Sequence, residues 1–176
     1  TSSWLKSAKL PQWNGLTLLG DDGVVWRTPD NPQNENAVLA LQKIINKNVN
    51  IRFIINHAGF PTTDLQSVAW LMWKSNLVAL AKYSNVAIKC SGWEMGNRQY
   101  PQQWFNACLQ QCVEVFSFDR VMLASNFPLC LFSHDSYQAY WQSVINSSFI
   151  RQCNAQQKNA LLSHNALQWY KSTRLK

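Results

Sequence analysis

Three short apolar runs, each followed by a polar loop and a helical pattern, constrain the fold of this chain more than any other feature. The runs IRFIIN, NVAIKC and RVMLAS occupy residues 51–56, 85–90 and 120–125. Apolar side chains at three- and four-residue spacing follow the first two runs, which predicts helices from about Asp64, a suitable N-cap, to Tyr83 and from about Pro101 to Phe116. Strands that alternate with helices predict an α/β fold with a parallel sheet and right-handed crossovers.

The rest of the chain carries less regular signals. Apolar spacing predicts three further helices, one before the first strand and two at the end: Gln33 to Asn48, Ser136 to Asn146 and Ala155 to Tyr170. Leu16 to Leu19 and Val24 to Trp26 are short strand candidates around Gly20-Asp-Asp-Gly23, which equally fits a hairpin turn. Residues 1–32 therefore receive no definite place in the fold.

The number of strand–helix units limits the architecture. The chain has 176 residues and about four such units at most, whereas a complete (β/α)8 barrel needs eight units and about 250 residues. We therefore expect one domain over residues 1–176 that is a half-barrel, a fragment of a longer protein or an assembly completed by a partner. Unpaired strand edges favour association, so we expect a homo-oligomer, poor solubility or contact with a missing N-terminal half.

Charge and cysteine content exclude several classes of protein. The net charge of +7 comes from scattered basic residues and only nine acids, so no basic patch predicts nucleic-acid binding. No apolar stretch is long enough for a membrane span, and the first residues lack the apolar core of a signal peptide. Five cysteines without framework spacing indicate reduced thiols. We expect a cytoplasmic protein with a small-molecule substrate.

Polar side chains stand directly after each of the three predicted parallel strands. His57 follows the first strand, Ser91 and Glu94 follow the second, and Asn126 follows the third. Because the carboxyl ends of parallel strands lie at one edge of a sheet, these loops should converge where α/β proteins place their sites. The imidazole can ligate a metal, polarise a carbonyl or transfer a proton, and a structural role in the core is an equal alternative. The Asn126 amide can hold its loop or donate to an oxyanion, but it cannot act as a general base.

Five side chains around these loops are candidates for contact with a substrate: Lys89, Ser91, Trp93, Glu94 and His134. Strand alternation places Lys89 and Ser91 on one face, and a lysine in a buried strand is costly unless it is paired. Glu94 is the nearest carboxylate, although glutamates in loops are usually solvated. Trp93 is placed to line a pocket, and His134 lies just beyond the Asn126 loop.

Four strings in order carry a family resemblance: FIINHAGFP, NVAIKCSGWEM, FDRVMLASNFPLC and LLSHNALQWY. They resemble the amidohydrolase-related family of sugar-lactone and pyrone-dicarboxylate hydrolases. Its members show H-x-G-x-P, N-V-x-x-K-x-S-G, R-x-M-x-x-S-(D/N)-x-P and a final N-A-x-x-x-Y. The resemblance covers residues 51–170 and implies the C-terminal part of a (β/α)8 barrel that hydrolyses a lactone or related carboxylic ester.

The resemblance also implies roles for two residues. His57 matches the family's histidine of the sixth strand, and Asn126 stands where many relatives have the aspartate that activates water. We therefore expect His57 and Asn126 to be catalytic. Family members act with a divalent metal or without one, and His57 would be a ligand of zinc or manganese in the first case.

Two departures from the family pattern leave alternatives open. An amide is a poorer zinc ligand than a carboxylate, and this chain has no H-x-H pair to match the family's first strand. The chain would then hold only half of an active site. A metal-dependent decarboxylase of the same superfamily and a non-catalytic relative with an eroded site are the alternatives to a hydrolase.

Overall fold

The structure, a computed structural model, describes residues 14–19, 25–29 and 35–170. Five strands, β1 (Asn14–Leu19), β2 (Val25–Pro29), β3 (Arg52–Ile55), β4 (Val86–Cys90) and β5 (Val121–Leu123), form one sheet in the order β2-β1-β3-β4-β5. β3, β4 and β5 pair in parallel, whereas β1 pairs antiparallel with both β2 and β3. The predicted parallel sheet is confirmed for β3 to β5, and both strand candidates near the N-terminus are strands. The proposed turn at Gly20 to Gly23 lies outside the described residues.

Helices follow each of the parallel strands. In chain order they are α1 (Glu35–Lys47), α2 (Val68–Ala81), α3 (Trp93–Gly96), α4 (Gln102–Phe116), α5 (Tyr137–Ile145), α6 (Ser148–Gln152), α7 (Ala155–Asn159) and α8 (Asn165–Trp169). Short 3-10 turns occupy His57–Gly59 and Leu129–Phe132, and a π turn, Ala160–His164, joins α7 to α8. All five predicted helical segments are confirmed. None of the helices in the described part of the chain is long and apolar enough to cross a membrane.

The start of α2 differs from the prediction. Asp64 is not the N-cap: Ser67 is, and its side-chain oxygen accepts the backbone N–H of Trp70 at 3.1 Å. The Asp64 carboxylate instead accepts the backbone N–H of Gln66 at 2.9 Å and closes a turn ahead of the helix. Both residue types cap helices well, so the choice between them depends on where the buried face of α2 meets the sheet.

The alternation of side chains along the strands builds two buried layers. One face of the sheet, represented by Phe53, Ile88 and Leu123, packs in a core with α2 and α4. On the other face, Ile54, Ala87 and Met122 are almost completely buried and pack against Ala166 and Trp169. Removing each large apolar side chain from water contributes about 1.5–3 kcal/mol to folding. All five cysteines lie buried as free thiols.

Helix α8 covers the N-terminal ends of the strands. The Trp169 indole donates to the carbonyl of Asp119, two residues before β5, at 3.3 Å. The Arg52 guanidinium at the start of β3 donates to the carbonyl of Gln168 at 2.7 Å. Asn165 donates to the carbonyl of Val121 at 2.7 Å. The C-terminal ends of β3, β4 and β5 lie at the opposite edge of the sheet.

Candidate functional site

Three loops meet at the C-terminal edge of the parallel strands. We call residues 56–60, 91–96 and 124–128, which follow β3, β4 and β5, the C-terminal rim. His57 Nδ1 lies 3.1 Å from Ser91 Oγ, which joins the first loop to the second. Asn126 Nδ2 donates to Glu94 Oε1 at 2.5 Å, which joins the third loop to the second. The structure thus brings together four of the residues that the sequence singled out, with the loop after β4 as the connection between His57 and Asn126.

The loop that carries His57 is a left-handed turn. Four consecutive residues have positive φ: His57 (53°), Ala58 (51°), Gly59 (70°) and Phe60 (53°). For the three that are not glycine, this conformation costs about 3–6 kcal/mol in total, at about 1–2 kcal/mol each. Strain of this kind persists only where surrounding contacts impose it, and it is concentrated at functional sites.

Two tryptophans hold this strained loop in place. The indole of Trp73, on α2, donates to the carbonyl of Ala58 at 2.8 Å. The indole of Trp104, on α4, donates to the carbonyl of Thr62 at 2.6 Å. Ala58 and Gly59 are buried, and the His57 ring lies 5.2 Å from that of Phe60. The imidazole therefore projects from a backbone anchored by two different helices.

Gly92 allows the imidazole to lie against the loop after β4. Its φ is +71°, and a Cβ atom added there would lie 2.3 Å from His57 Nδ1 and 2.8 Å from His57 Cγ. Both distances are far below van der Waals contact, so any larger residue would displace the imidazole. Gly92 is required both by its backbone conformation and by the position of His57.

The structure corrects the expectation that Glu94 is solvated. Glu94 lies in the short helix α3 and is only 4% exposed. Its Oε1 accepts from Asn126, whereas its Oε2 is buried and has no hydrogen-bond partner in the described part of the chain. Asn126 has φ +57°, a conformation that asparagine tolerates better than most residues. A buried carboxylate oxygen without a partner is costly, which marks Glu94 as a functional candidate.

Aromatic side chains and one thiol surround the carboxyl group of Glu94. Burial, and next the charge of Glu94, raises the pKa of Tyr100 above its ordinary value. Burial also raises the pKa of Tyr140, whose hydroxyl donates to the carbonyl of Ala124 at 2.9 Å, and the same cause raises the pKa of Cys130. All three groups therefore stay protonated at neutral pH. They were missed from the sequence because no local pattern distinguishes them from ordinary core residues.

His134 belongs to this aromatic cluster. Its ring packs edge-on against Tyr140, with centroids 5.3 Å apart, and lies 6.2 Å from the ring of Tyr100. Its Nδ1 atom is buried and makes no hydrogen bond to the described residues. His134 thus packs against Tyr100 and Tyr140, and its contact with a substrate stays a prediction.

The remaining two candidates for contact with a substrate are Trp93 and Lys89. Trp93 is 1% exposed and packs edge-on against Trp104 and Phe105, with centroids 5.6 and 5.1 Å away. It belongs to the core and does not line a pocket, which corrects the prediction. Lys89 is half-buried on β4, where it is the register partner of Met122.

The described residues do not by themselves fit a metal ion. Across the described ranges no three His, Cys, Asp or Glu side chains lie close enough together to hold one. A catalytic zinc ion takes three protein ligands, and a serine hydroxyl such as that of Ser91, 3.1 Å from His57 Nδ1, is not among its usual ligands. Metal ligation by His57 therefore stays a prediction.

An open groove of about 350 Å³ lies at the other end of the sheet. Its walls come from the N-terminal end of β3, the turn before β4 and α8: Val49, Asn50, Arg52, Ser84, Asn85, Gln168 and Trp169. No His, Cys, Asp or Glu lines it, and Arg52 is bonded to backbone carbonyls of α8. The groups suited to acid–base chemistry are at the C-terminal rim.

Known proteins that are similar to this chain include members of one enzyme family. The amidohydrolase family model matches residues 19–171. The protein y4mH of Sinorhizobium fredii is 32% identical over 124 residues, covering 69% of this chain and 39% of that protein. L-fucono-1,5-lactonase of Burkholderia multivorans is 30% identical over 87 residues, covering 44% of this chain and 29% of that enzyme.

Solved structures support the same fold. An amidohydrolase from Burkholderia multivorans, crystallised with bound zinc, is 25% identical with a TM-score of 0.65. The match covers 77% of this chain and 49% of that one, so this chain spans half or less of the length of the proteins it matches. A separate similarity, 56% identity over 34 residues, is to transposase InsG of insertion sequence element IS4 of Escherichia coli; it covers 19% of this chain and 8% of that protein.

Proposed function

This chain belongs to the amidohydrolase family, and from that premise we propose that it forms one wall of the active site of a hydrolase that cleaves a lactone or a related carboxylic ester. The observation that carries the proposal is the convergence of the three loops of the C-terminal rim. Among them, His57 contacts Ser91 and Asn126 contacts Glu94. The similarity to a lactonase over 87 residues supports the choice of substrate class.

In this proposal His57 polarises the carbonyl of the ester. When the Ser91 hydroxyl donates to Nδ1, the proton of the neutral imidazole is on Nε2, from which it can be donated to a carbonyl oxygen. One such donor to a developing oxyanion lowers the barrier by about 2.7–4 kcal/mol. The left-handed loop and Gly92 keep the ring in position before a substrate arrives, so little reorganisation accompanies the reaction.

Asn126 has a more limited role in this proposal. One N–H of its amide is committed to Glu94, and the second N–H and the carbonyl oxygen can orient a water molecule or the oxyanion. An amide does not take a proton from water at neutral pH, so the base must be another group.

We also propose that further residues complete the opposite wall, since the chain spans about half the length of its relatives. They would come from polypeptide outside residues 1–176 or from a second copy. Large apolar side chains exposed on and near the rim support such a contact: Met95, Phe127, Leu131, Phe132 and Tyr137.

The test is hydrolysis of a panel of sugar lactones by the full-length gene product that contains this chain, as the wild type, as His57→Ala and as the matched control His164→Ala. His164 is exposed on the π turn, away from the rim. We expect turnover by the wild type and by His164→Ala, and a loss of about 10²–10³-fold in kcat for His57→Ala. An inactive wild type, or equal rates for the wild type and His57→Ala, would reject the proposal.

A further inference from the structure

We propose that Glu94 is the general base that takes a proton from the attacking water, an inference that rests on the hydrolase function proposed above. The first support is the asymmetry of its carboxyl group. Oε1 is held by Asn126 at 2.5 Å, and Oε2 is buried without a hydrogen-bond partner in the described region. Buried polar atoms in folded proteins almost always have a partner, so Oε2 requires one that is not a side chain of this region. A water molecule is the smallest group that meets this requirement.

The second support is the position of Glu94 relative to His57. Glu94 lies two residues after Gly92, the glycine whose backbone contacts the imidazole. Glu94 is thus part of the loop after β4, and the imidazole of His57 contacts the same loop through its hydrogen bond to Ser91. A water on Oε2 and a carbonyl group near His57 would be positioned by the same short segment.

The third support is that Asn126 suits a neighbouring carboxylate. An aspartate at position 126 would place two carboxylates about 2.5 Å apart, and like charges at that distance oppose each other's ionisation. An amide instead donates a hydrogen bond to Glu94 and brings no like charge to it. We therefore infer that Glu94, on the loop after β4, is the proton acceptor and that Asn126 is the residue that positions it.

Glu94 Oε2 takes one proton from water while the water oxygen forms a bond to the carbonyl carbon, and the π electron pair moves to the carbonyl oxygen. The tetrahedral intermediate then re-forms the C=O bond and breaks the bond to the ring oxygen. That leaving alkoxide receives the proton from Glu94, which returns to its carboxylate form, and the product is a hydroxy acid.

The titratable groups that face Glu94 come from three segments of the chain. They are Tyr100 before α4, Cys130 in the 3-10 turn after β5 and Tyr140 on α5, with His134 packed against both tyrosines. The two tyrosines and the thiol are all protonated at neutral pH. A loss of activity toward low pH in the wild type would then report the carboxyl group or an imidazole, of His57 or His134, and the Glu94 variant separates the carboxyl group from the imidazoles.

The experiment compares the wild type with Glu94→Gln and the matched control Glu114→Gln. Glutamine keeps an acceptor for Asn126 but cannot take a proton, and Glu114 is exposed on α4, where it accepts from Gln110 at 2.8 Å. We expect kcat for Glu94→Gln to fall by about 10²–10⁴-fold, with KM changed by less than about threefold and the acidic limb of the pH profile altered. Glu114→Gln should behave like the wild type, and both variants should keep the wild-type melting temperature.

Two outcomes would overturn the inference in different ways. Glu94→Gln with wild-type kcat and an unchanged pH profile would show that Glu94 is at most structural, while the loss in His57→Ala would still support the hydrolase. A raised KM with unchanged kcat would assign Glu94 to substrate binding and likewise reject the base. A wild-type chain without lactone hydrolysis would reject the proposed function and this inference together.

Discussion

Replacing Gly92 with alanine perturbs the position of His57 without touching the imidazole chemically. The new Cβ atom would lie 2.3 Å from His57 Nδ1, and the residue would have to keep φ at +71°. The left-handed conformation costs about 1–2 kcal/mol for alanine, and forcing an extra methyl group into a packed site costs about 1–3 kcal/mol. We therefore expect Gly92→Ala to lower the free energy of unfolding by about 2–5 kcal/mol.

The same substitution should impair catalysis in the molecules that remain folded. The ring has to move by about 1 Å to reach ordinary van der Waals separation, and a misplacement of that size costs about 10²-fold in rate. Urea unfolding followed by tryptophan fluorescence measures the stability, and lactone hydrolysis below the start of the unfolding transition measures the rate. Both quantities should fall.

Gly96→Ala is the matched control for this experiment. Gly96 is the last residue of α3, the short helix that begins directly after Gly92. A Cβ atom at Gly96 would meet only Thr63 Cγ2, at 3.9 Å. Its stability should change by less than about 0.5 kcal/mol, and its rate should equal that of the wild type. If Gly92→Ala matched Gly96→Ala in stability and in rate, the argument that Gly92 positions His57 would be wrong.

Three further predictions concern stability and assembly. Ser117→Gly should stabilise the protein by about 1 kcal/mol in urea unfolding without changing activity. The reason is that exposed Ser117 has φ 61° and ψ 167°, a backbone region that is nearly exclusive to glycine. Equal or lower stability of the variant would contradict this. In the Asn126→Asp variant the new carboxyl group lies beside Glu94, and the like charges raise the pKa of one of these two carboxyl groups in the folded state. The stability of the variant should therefore be closest to that of the wild type below about pH 4 and should fall as the pH rises. A urea midpoint difference that stays constant from acid to neutral pH would refute that coupling. Sedimentation should show association through the apolar rim residues, and a clean monomer would count against it.

The elements that the sequence predicted well are those set by local patterns. The apolar runs before His57 and Asn126 are buried strands, and the apolar spacing after them is helical. Their parallel order then follows from the alternation of strands and helices, and with it the meeting of the loops at one edge. The contact of His57 with Ser91 is the result of that topology.

Features that depend on distant segments could not be predicted in this way. The Gly and Pro in His57-Ala-Gly-Phe-Pro indicate a loop but not four successive left-handed residues, which Trp73 and Trp104 help to hold from two helices. Glu94 is buried where Asn126, 32 residues further along the chain, donates to its carboxyl group, and no local pattern predicts that contact. Trp93 follows a strand, which predicts a pocket position, yet Trp104 and Phe105 of α4 pack against it.

The most direct test of a single site at the C-terminal rim is an NMR titration with an aldonic acid, the product class of sugar-lactone hydrolysis. The imidazole resonances of His57 and the side-chain amide resonances of Asn126 would be followed together, with His164 as the internal reference. We predict that both sets shift with one common dissociation constant while His164 stays unchanged. Shifts at only one of the two residues, or two different dissociation constants, would contradict a shared pocket.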